Sequence, residues 1–125
     1  MSSETLYIPG SEETPEVKLS LHDPNLVIAG RSFPENAHEF YQPVIDWVTR
    51  HGSRLQQPTV IEFRFDYFNS SSGRFIFEML SQLEKLPKKA LLNVVWTVEK
   101  GDELMLEKGL ELKSLLDLQF EVREL

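Results

Sequence analysis

The pattern of apolar and polar residues predicts six β-strands. Alternation is clearest over residues 58–68, where every second side chain from Ile61 to Tyr67 is apolar or aromatic. Residues 16–22 alternate in the same way and precede an Asp-Pro-Asn turn, so they should form a hairpin with the next strand. The segment 90–100 is the most apolar and is predicted to lie at the centre of the sheet. The predicted strands are residues 6–9, 16–22, 26–32, 58–68, 90–100 and 120–125.

Apolar residues at helical spacing predict three helices, each lying between two strands. The first should end at Gly52 and kink at Pro43, which removes one backbone donor. The second should begin near Ser71 and end before Pro87, and the third should begin after Gly101. The residues predicted to face the core are Ala37, Phe40, Tyr41, Val44, Ile45 and Val48 of the first helix, Ile76, Met79, Leu80 and Leu83 of the second, and Leu104, Leu112, Leu115 and Leu116 of the third.

The order of these elements is β-β-β-α-β-α-β-α-β, which predicts an α/β fold. Strands that alternate with helices pair in parallel through right-handed crossovers, whereas the initial hairpin is antiparallel. We therefore expect a mixed sheet of about six strands with three main helices covering one face. A chain of 125 residues is long enough for one core, so residues 1–125 should form a single domain.

Composition and charge exclude several classes of function. Thirteen basic and twenty acidic residues give a net charge of −7, which argues against binding to nucleic acid or to an anionic membrane surface. The absence of cysteine excludes disulfides and thiolate chemistry, and no His-rich spacing indicates a metal site or a cofactor. The chain begins without a secretory signal and has no apolar run of about 20 residues, so we expect a cytoplasmic protein that does not insert into membranes.

The chemistry of the chain is concentrated in the segment Asn-Ser-Ser-Ser-Gly, residues 69–73, between the fourth strand and the second helix. Asn and Ser are preferred helix caps, so capping is the simplest interpretation. A phosphate-binding loop would need more glycines and a lysine, and a nucleophile elbow would need flanking glycines and a His–acid pair. Covalent phosphorylation also fits, because helix N-termini favour anions and Arg74 follows one turn later. Asp66 and Glu78 would oppose such a phosphate if they lay close to it.

Three segments together resemble the SiaC family of bacterial regulatory phosphoproteins. They are LYIPGSEETPEV at residues 6–17, GRSFPENAHEFYQPVIDWV at residues 30–48 and YFNSSSGRFIFEML at residues 67–80. In this family the hydroxyl directly after the Asn of an N-[ST]-S-S motif is phosphorylated. The resemblance therefore implies a phosphorylated Ser70, with Asn69, Ser72, Gly73 and Arg74 supporting the site.

The resemblance also implies the partners and the mode of action. A dedicated protein kinase would phosphorylate Ser70, and a phosphatase would release the phosphate. The unmodified form would bind and activate a diguanylate cyclase, raising cyclic di-GMP and promoting biofilm formation. The protein would thus act without being an enzyme, and phosphorylation would block its main contact with the partner.

Two alternatives remain open at this stage. The junction is also similar to the Asp-Ser-Ser-Gly turn of STAS-type anti-sigma-factor antagonists, which would imply a STAS-like partner switch with another target. Aligning Asn69 with that Asp again selects Ser70, whereas aligning Gly73 selects Ser71 as the alternate phosphosite. The second alternative is a small serine hydrolase, which requires a base within hydrogen-bond reach of one of the serines.

Overall fold

A computed structural model describes residues 4–125 and confirms the predicted α/β fold with a mixed six-stranded sheet. The strands are β1 (Thr5–Ile8), β2 (Glu16–Ser20), β3 (Asn25–Ser32), β4 (Thr59–Phe68), β5 (Leu92–Val98) and β6 (Phe120–Glu124). The helices are α1 (Ala37–His51), α2 (Ser70–Glu84) and α3 (Glu103–Leu115), with short 3-10 turns at Gly52–Arg54 and Lys89–Leu91. Most boundaries lie within two residues of those that the sequence pattern predicts.

The six strands lie side by side in chain order. β1, β2 and β3 pair antiparallel, and β3, β4, β5 and β6 pair parallel. The prediction that residues 90–100 lie at the centre of the sheet is wrong, because β5 lies next to the edge strand β6. β5 is buried on both of its faces, which explains its apolar composition. Even on the face without helices, the side chain of Thr97 is buried, and it donates a hydrogen bond to Glu62 Oε2 at 2.7 Å.

All three helices contribute to one apolar core on a single face of the sheet. Ile28 of β3, Phe63 of β4 and Trp96 of β5 are direct neighbours in the strand register and form the middle of this face. On the opposite face the same strands carry side chains such as Glu62 and Arg64, which form an ion pair of 3.1 Å. The predicted one-sided helical layer is therefore confirmed.

The first helix continues through Pro43, so the proline does not delay its start. The helix ends at His51 as predicted, but the reason for Gly52 is different from the one that the sequence suggested. Gly52 has a right-handed conformation, with φ of −59°, and it is not a left-handed stop. A Cβ atom at this position would lie 2.6 Å from Leu86 Cδ1, so any larger residue would have to displace the side chain of the leucine that follows α2.

The third helix faces the core with residues that differ in part from those predicted. Leu104 and Leu115 are exposed by 55% and 59%, so their predicted inward orientation is wrong, whereas Leu116 is buried as expected. The side of α3 that contacts the sheet carries Met105 and Gly109. Gly109 lies against the indole of Trp96, where a Cβ atom would approach Cδ1 to 2.3 Å. Apolar periodicity cannot detect such a contact, because the buried position is occupied by a glycine.

Candidate functional site: the junction of β4 and α2

The junction of β4 and α2 is closed by Asn69, which confirms the predicted cap. The Asn69 side-chain oxygen accepts a hydrogen bond from the backbone N–H of Ser72 at 2.9 Å. The backbone N–H of Asn69 donates to the carbonyl of Ser32 at 3.1 Å, which ties the junction to the end of β3. A cap of this kind satisfies one of the free N–H groups at the start of the helix and is worth about 1 kcal/mol.

The three serines at the start of α2 lie in different environments. Ser70 and Ser71 are exposed, whereas Ser72 is completely buried. The Ser72 hydroxyl accepts a hydrogen bond from the hydroxyl of Ser32 at 2.9 Å. The Ser32 hydroxyl also lies 2.5 Å from the phenol of Tyr41. Because a serine hydroxyl has one proton, and Ser32 gives it to Ser72, the Tyr41 phenol must be the donor to Ser32.

This buried series of hydroxyls, Tyr41–Ser32–Ser72, joins α1, β3 and α2. Burial raises the pKa of Tyr41 to about 12, so its phenol keeps the proton that it donates. Ser72 is predicted to support a phosphate on Ser70; in the unmodified structure its hydroxyl is buried and bonded to that of Ser32. The inward face of α2 includes Ile76 and Met79. Ser72 lies four residues before Ile76 and therefore on the same face, so the helical spacing alone indicates that Ser72 faces the core.

Ser70 and Ser71 line two different clefts. Ser71 lines a cleft of about 1000 Å³ between α1 and α2, together with His38 and Arg74; we call it the α1–α2 cleft. Ser70 lines a cleft of about 470 Å³ between α2 and α3, together with Lys108; we call it the α2–α3 cleft. Arg74, the predicted support of Ser70, therefore lines the cleft of Ser71, and the cation in the cleft of Ser70 comes from α3.

The walls of the α2–α3 cleft are mainly apolar. They include the side chains of Phe68, Phe77, Leu112 and Leu115, and the one acidic side chain is that of Glu111. Asp66 and Glu78, which would oppose a phosphate on Ser70 if they lay close to it, line neither this cleft nor the α1–α2 cleft. The sequence offered no signal for Lys108 or Glu111, because both lie on a helix that comes more than thirty residues after the serines.

Gly73 allows α2 to approach the end of β4 closely. A Cβ atom at Gly73 would lie 3.0 Å from Cε1 of the Phe68 ring, so even alanine would displace that ring or the helix. The backbone N–H of Gly73 donates to the carbonyl of Asn69 at 2.9 Å, as expected for the first turn of a helix. Gly73 thus allows the first turn of α2 to lie close to the Phe68 ring.

The described residues show no serine hydroxyl of the junction paired with a base. Within residues 4–125, neither Ser70 nor Ser71 forms a hydrogen bond from its hydroxyl to a histidine or a carboxylate. His38 lines the same cleft as Ser71, but its ring packs edge-on against Phe75, with centroids 5.7 Å apart. Over the same residues no group of acidic or histidine side chains could hold a metal ion.

The other two histidines also have structural surroundings. His22 is exposed and pairs with Glu4 at 2.7 Å, and His51 is buried with its ring 5.3 Å from that of Trp47. His22 is thus a surface residue and His51 is a packing residue. In the described part of the chain, no helix is long and apolar enough to cross a bilayer.

Comparison with known proteins identifies relatives that span the whole fold. SiaC of Pseudomonas aeruginosa has a similar structure, with a TM-score of 0.84, 28% identity and coverage of 100% of both chains. SiaC from the same organism, in a crystal structure of the diguanylate cyclase SiaD in complex with its activator SiaC, gives a TM-score of 0.86 at 28% identity, covering 96% of this chain and 99% of that one. An uncharacterised protein of Pseudomonas aeruginosa (strain UCBPP-PA14) is 29% identical over 119 residues, which is 94% of each chain.

Residues 8–125 match the family described as SiaC family regulatory phosphoprotein. The matched range includes β2–β6, all three helices and the serine-containing junction. The chain therefore belongs to the SiaC family of regulatory phosphoproteins.

Proposed function

We propose that this chain is a non-enzymatic regulatory protein whose unmodified form binds and activates a diguanylate cyclase. Phosphorylation of Ser70 by a protein kinase blocks that contact, and a phosphatase restores it, all in the cytoplasm. Membership of a family of regulatory phosphoproteins supports the modification. The similarity in fold to SiaC, which is crystallised in complex with the diguanylate cyclase that it activates, supports the partner.

The observation that carries the choice of Ser70 is the difference among the three serines. A kinase needs an accessible hydroxyl, and the hydroxyl of Ser72 is buried and bonded to Ser32. Ser70 and Ser71 remain, and Ser70 is the first residue of α2 and directly follows the capping Asn69. Ser70 also adjoins the apolar side chains of the α2–α3 cleft, so a phosphate there would change a surface suited to protein contacts. Ser71 remains the alternate site.

The effect of the phosphate follows from its charge. A phosphoserine carries about −1.5 to −2 charges at neutral pH. The helix N-terminus and the cap can accommodate this charge without unfolding the junction, because anions are favoured there. A partner that covers Phe77 and Leu115 would have to remove water from the phosphate, and burial of an unpaired charge is strongly unfavourable. Phosphorylation is therefore expected to weaken binding while the fold is retained.

The test is a binding and activity titration with a diguanylate cyclase from the same organism. Four forms are compared: the unmodified chain, the chain carrying phosphoserine at position 70, Ser70→Ala, and Ser71→Ala as a matched control. The unmodified chain and both alanine variants should bind and stimulate formation of cyclic di-GMP, and the phosphoserine form should bind at least about tenfold more weakly. Equal binding and stimulation by the phosphoserine form would refute the proposal.

Intact-mass spectrometry of the protein from its native cells tests the modification itself. A fraction carrying the mass of one phosphate should disappear on treatment with phosphatase, and it should be missing from cells that produce only Ser70→Ala. A phosphate that persists in the Ser70→Ala protein and is lost with Ser71→Ala would move the site to Ser71.

A further inference from the structure

The α2–α3 cleft is lined by a cationic side chain, that of Lys108. We propose that Lys108 forms an ion pair with the phosphate on Ser70 and thereby closes this cleft. The inference rests on the proposed phosphorylation of Ser70. It assigns the phosphate a partner on a different helix and explains how one modification can remove an apolar surface.

The geometry of the cleft supports this pair. Ser70 at the start of α2 and Lys108 in α3 line the same cleft from its two sides. Lysine carries its ammonium group on four flexible methylenes, and phosphorylation extends Ser70 by a phosphorus atom and three acceptor oxygens. Both groups therefore grow toward the same space. Arg74 lines the α1–α2 cleft on the other side of α2, so its position favours a phosphate on Ser71.

Lys108 is available for this role. It is exposed, and within residues 4–125 it takes part in none of the ion pairs, which join other residues. Glu111 lies three residues later and lines the same cleft, so it competes for the ammonium group. A phosphate with nearly two negative charges and three acceptor oxygens attracts lysine more strongly than a single carboxylate does.

Pairing across the cleft would change what a partner meets. The apolar side chains of Phe77, Leu112 and Leu115 line the same cleft as Ser70 and Lys108. A salt bridge between the two helices would cover part of this surface and replace it with hydrated charge. The loss of an apolar contact and the gain of a charge would then both weaken binding of the partner.

The experiment uses the full chain with phosphoserine introduced directly at position 70 by an expanded genetic code, so that neither kinase nor partner is needed. The pKa of the phosphate is measured by phosphorus NMR in three proteins: the phosphorylated chain, the same chain with Lys108→Gln, and the same chain with Lys113→Gln. Lys113 is an exposed lysine of the same helix that does not line the cleft, so it is a matched control for net charge. Circular dichroism verifies that all three are folded.

A nearby ammonium group stabilises the dianion, so its removal should raise the pKa of the phosphate. Lys108→Gln is expected to raise it by about 0.2–0.7, the range that corresponds to a solvent-exposed ion pair, and Lys113→Gln by clearly less. Equal effects of the two substitutions would overturn the assignment of Lys108.

A second arm places phosphoserine at position 71, in the α1–α2 cleft. There Lys108→Gln should leave the phosphate pKa unchanged, and Arg74→Gln should raise it. A shift from Lys108→Gln that is as large at position 71 as at position 70 would show a general charge effect and overturn the inference. These outcomes are separate from the proposed switch, because a partner that ignores phosphorylation would refute the switch without altering the phosphate pKa.

Discussion

The buried hydroxyls behind the serine-containing junction make a quantitative prediction for Tyr41→Phe. The substitution removes one hydroxyl and keeps the ring, so the packing of Tyr41 against Phe40 and Phe75 is retained. It deletes the hydrogen bond that the phenol donates to Ser32 over 2.5 Å. A buried hydroxyl that loses its partner destabilises a protein by about 1–2 kcal/mol, and we expect the free energy of unfolding at pH 7 to fall by that amount.

The same substitution should change how stability depends on pH. Burial raises the pKa of Tyr41 to about 12 in the folded protein, whereas an unperturbed tyrosine titrates near pH 10. The unfolded chain therefore releases this proton first, and the stability that the neutral phenol contributes is complete below pH 10 and is lost as pH rises through 12. At pH 11 the loss relative to neutral pH is about 1.4 kcal/mol, and phenylalanine, which does not ionise, shows no such loss.

The assay is unfolding by urea, followed by circular dichroism at pH 7, 9 and 11. All other ionisable groups are the same in the two proteins, so the difference in stability between them isolates Tyr41. The wild type should be the more stable protein at pH 7 and 9, and the difference should largely vanish at pH 11. Tyr67→Phe, at an exposed tyrosine, should change stability at pH 7 by less than about 0.5 kcal/mol. A difference between wild type and Tyr41→Phe that is the same at pH 7 and pH 11 would refute the reasoning.

Three further predictions test the packing of the helices by chemical denaturation. Gly109→Ala should destabilise the protein by about 1–3 kcal/mol, because the new Cβ would lie 2.3 Å from the Trp96 ring; a loss below about 0.5 kcal/mol would contradict this contact. Asn69→Ala should cost about 1 kcal/mol and Asn69→Asp much less, since aspartate can also cap the helix; equal losses would show that the cap is not the cause. Leu104→Ala should cost under about 0.5 kcal/mol and Met105→Ala about 2–5 kcal/mol, and the reverse order would contradict the orientation of α3.

The sequence was sufficient for the order of strands and helices and for the cap at Asn69. These features depend on interactions between residues that are close in the chain. The alternation around Phe63 and Phe65 requires a half-buried strand, and a side-chain oxygen at Asn69 can reach the N–H of Ser72 whatever surrounds the helix. Membership of the SiaC family could be suspected for the same reason, because its motifs are short and contiguous.

The sequence was less informative where a long-range contact decides the role of a residue. Leu104 and Leu115 looked like core residues because they are large and apolar, yet the contact of α3 with Trp96 selects Met105 and Gly109. Gly52 has the sequence pattern of a helix stop, but its close neighbour in the structure is the side chain of Leu86. In both places the packing partner lies on an element that is distant in the sequence.

The candidate site shows most clearly which features depend on neighbouring residues in the chain and which depend on tertiary packing. The chain alone determined that three hydroxyls follow a capping asparagine where a strand meets a helix. Successive helical residues point about 100° apart, so the three serines had to diverge, but only the packing of α2 between α1 and α3 decided their surroundings. That packing buries Ser72 against Ser32, places Ser71 in the same cleft as Arg74 and places Ser70 in the same cleft as Lys108. The physical reason is that capping and periodicity are local properties, whereas the neighbours of a side chain depend on how separate elements pack.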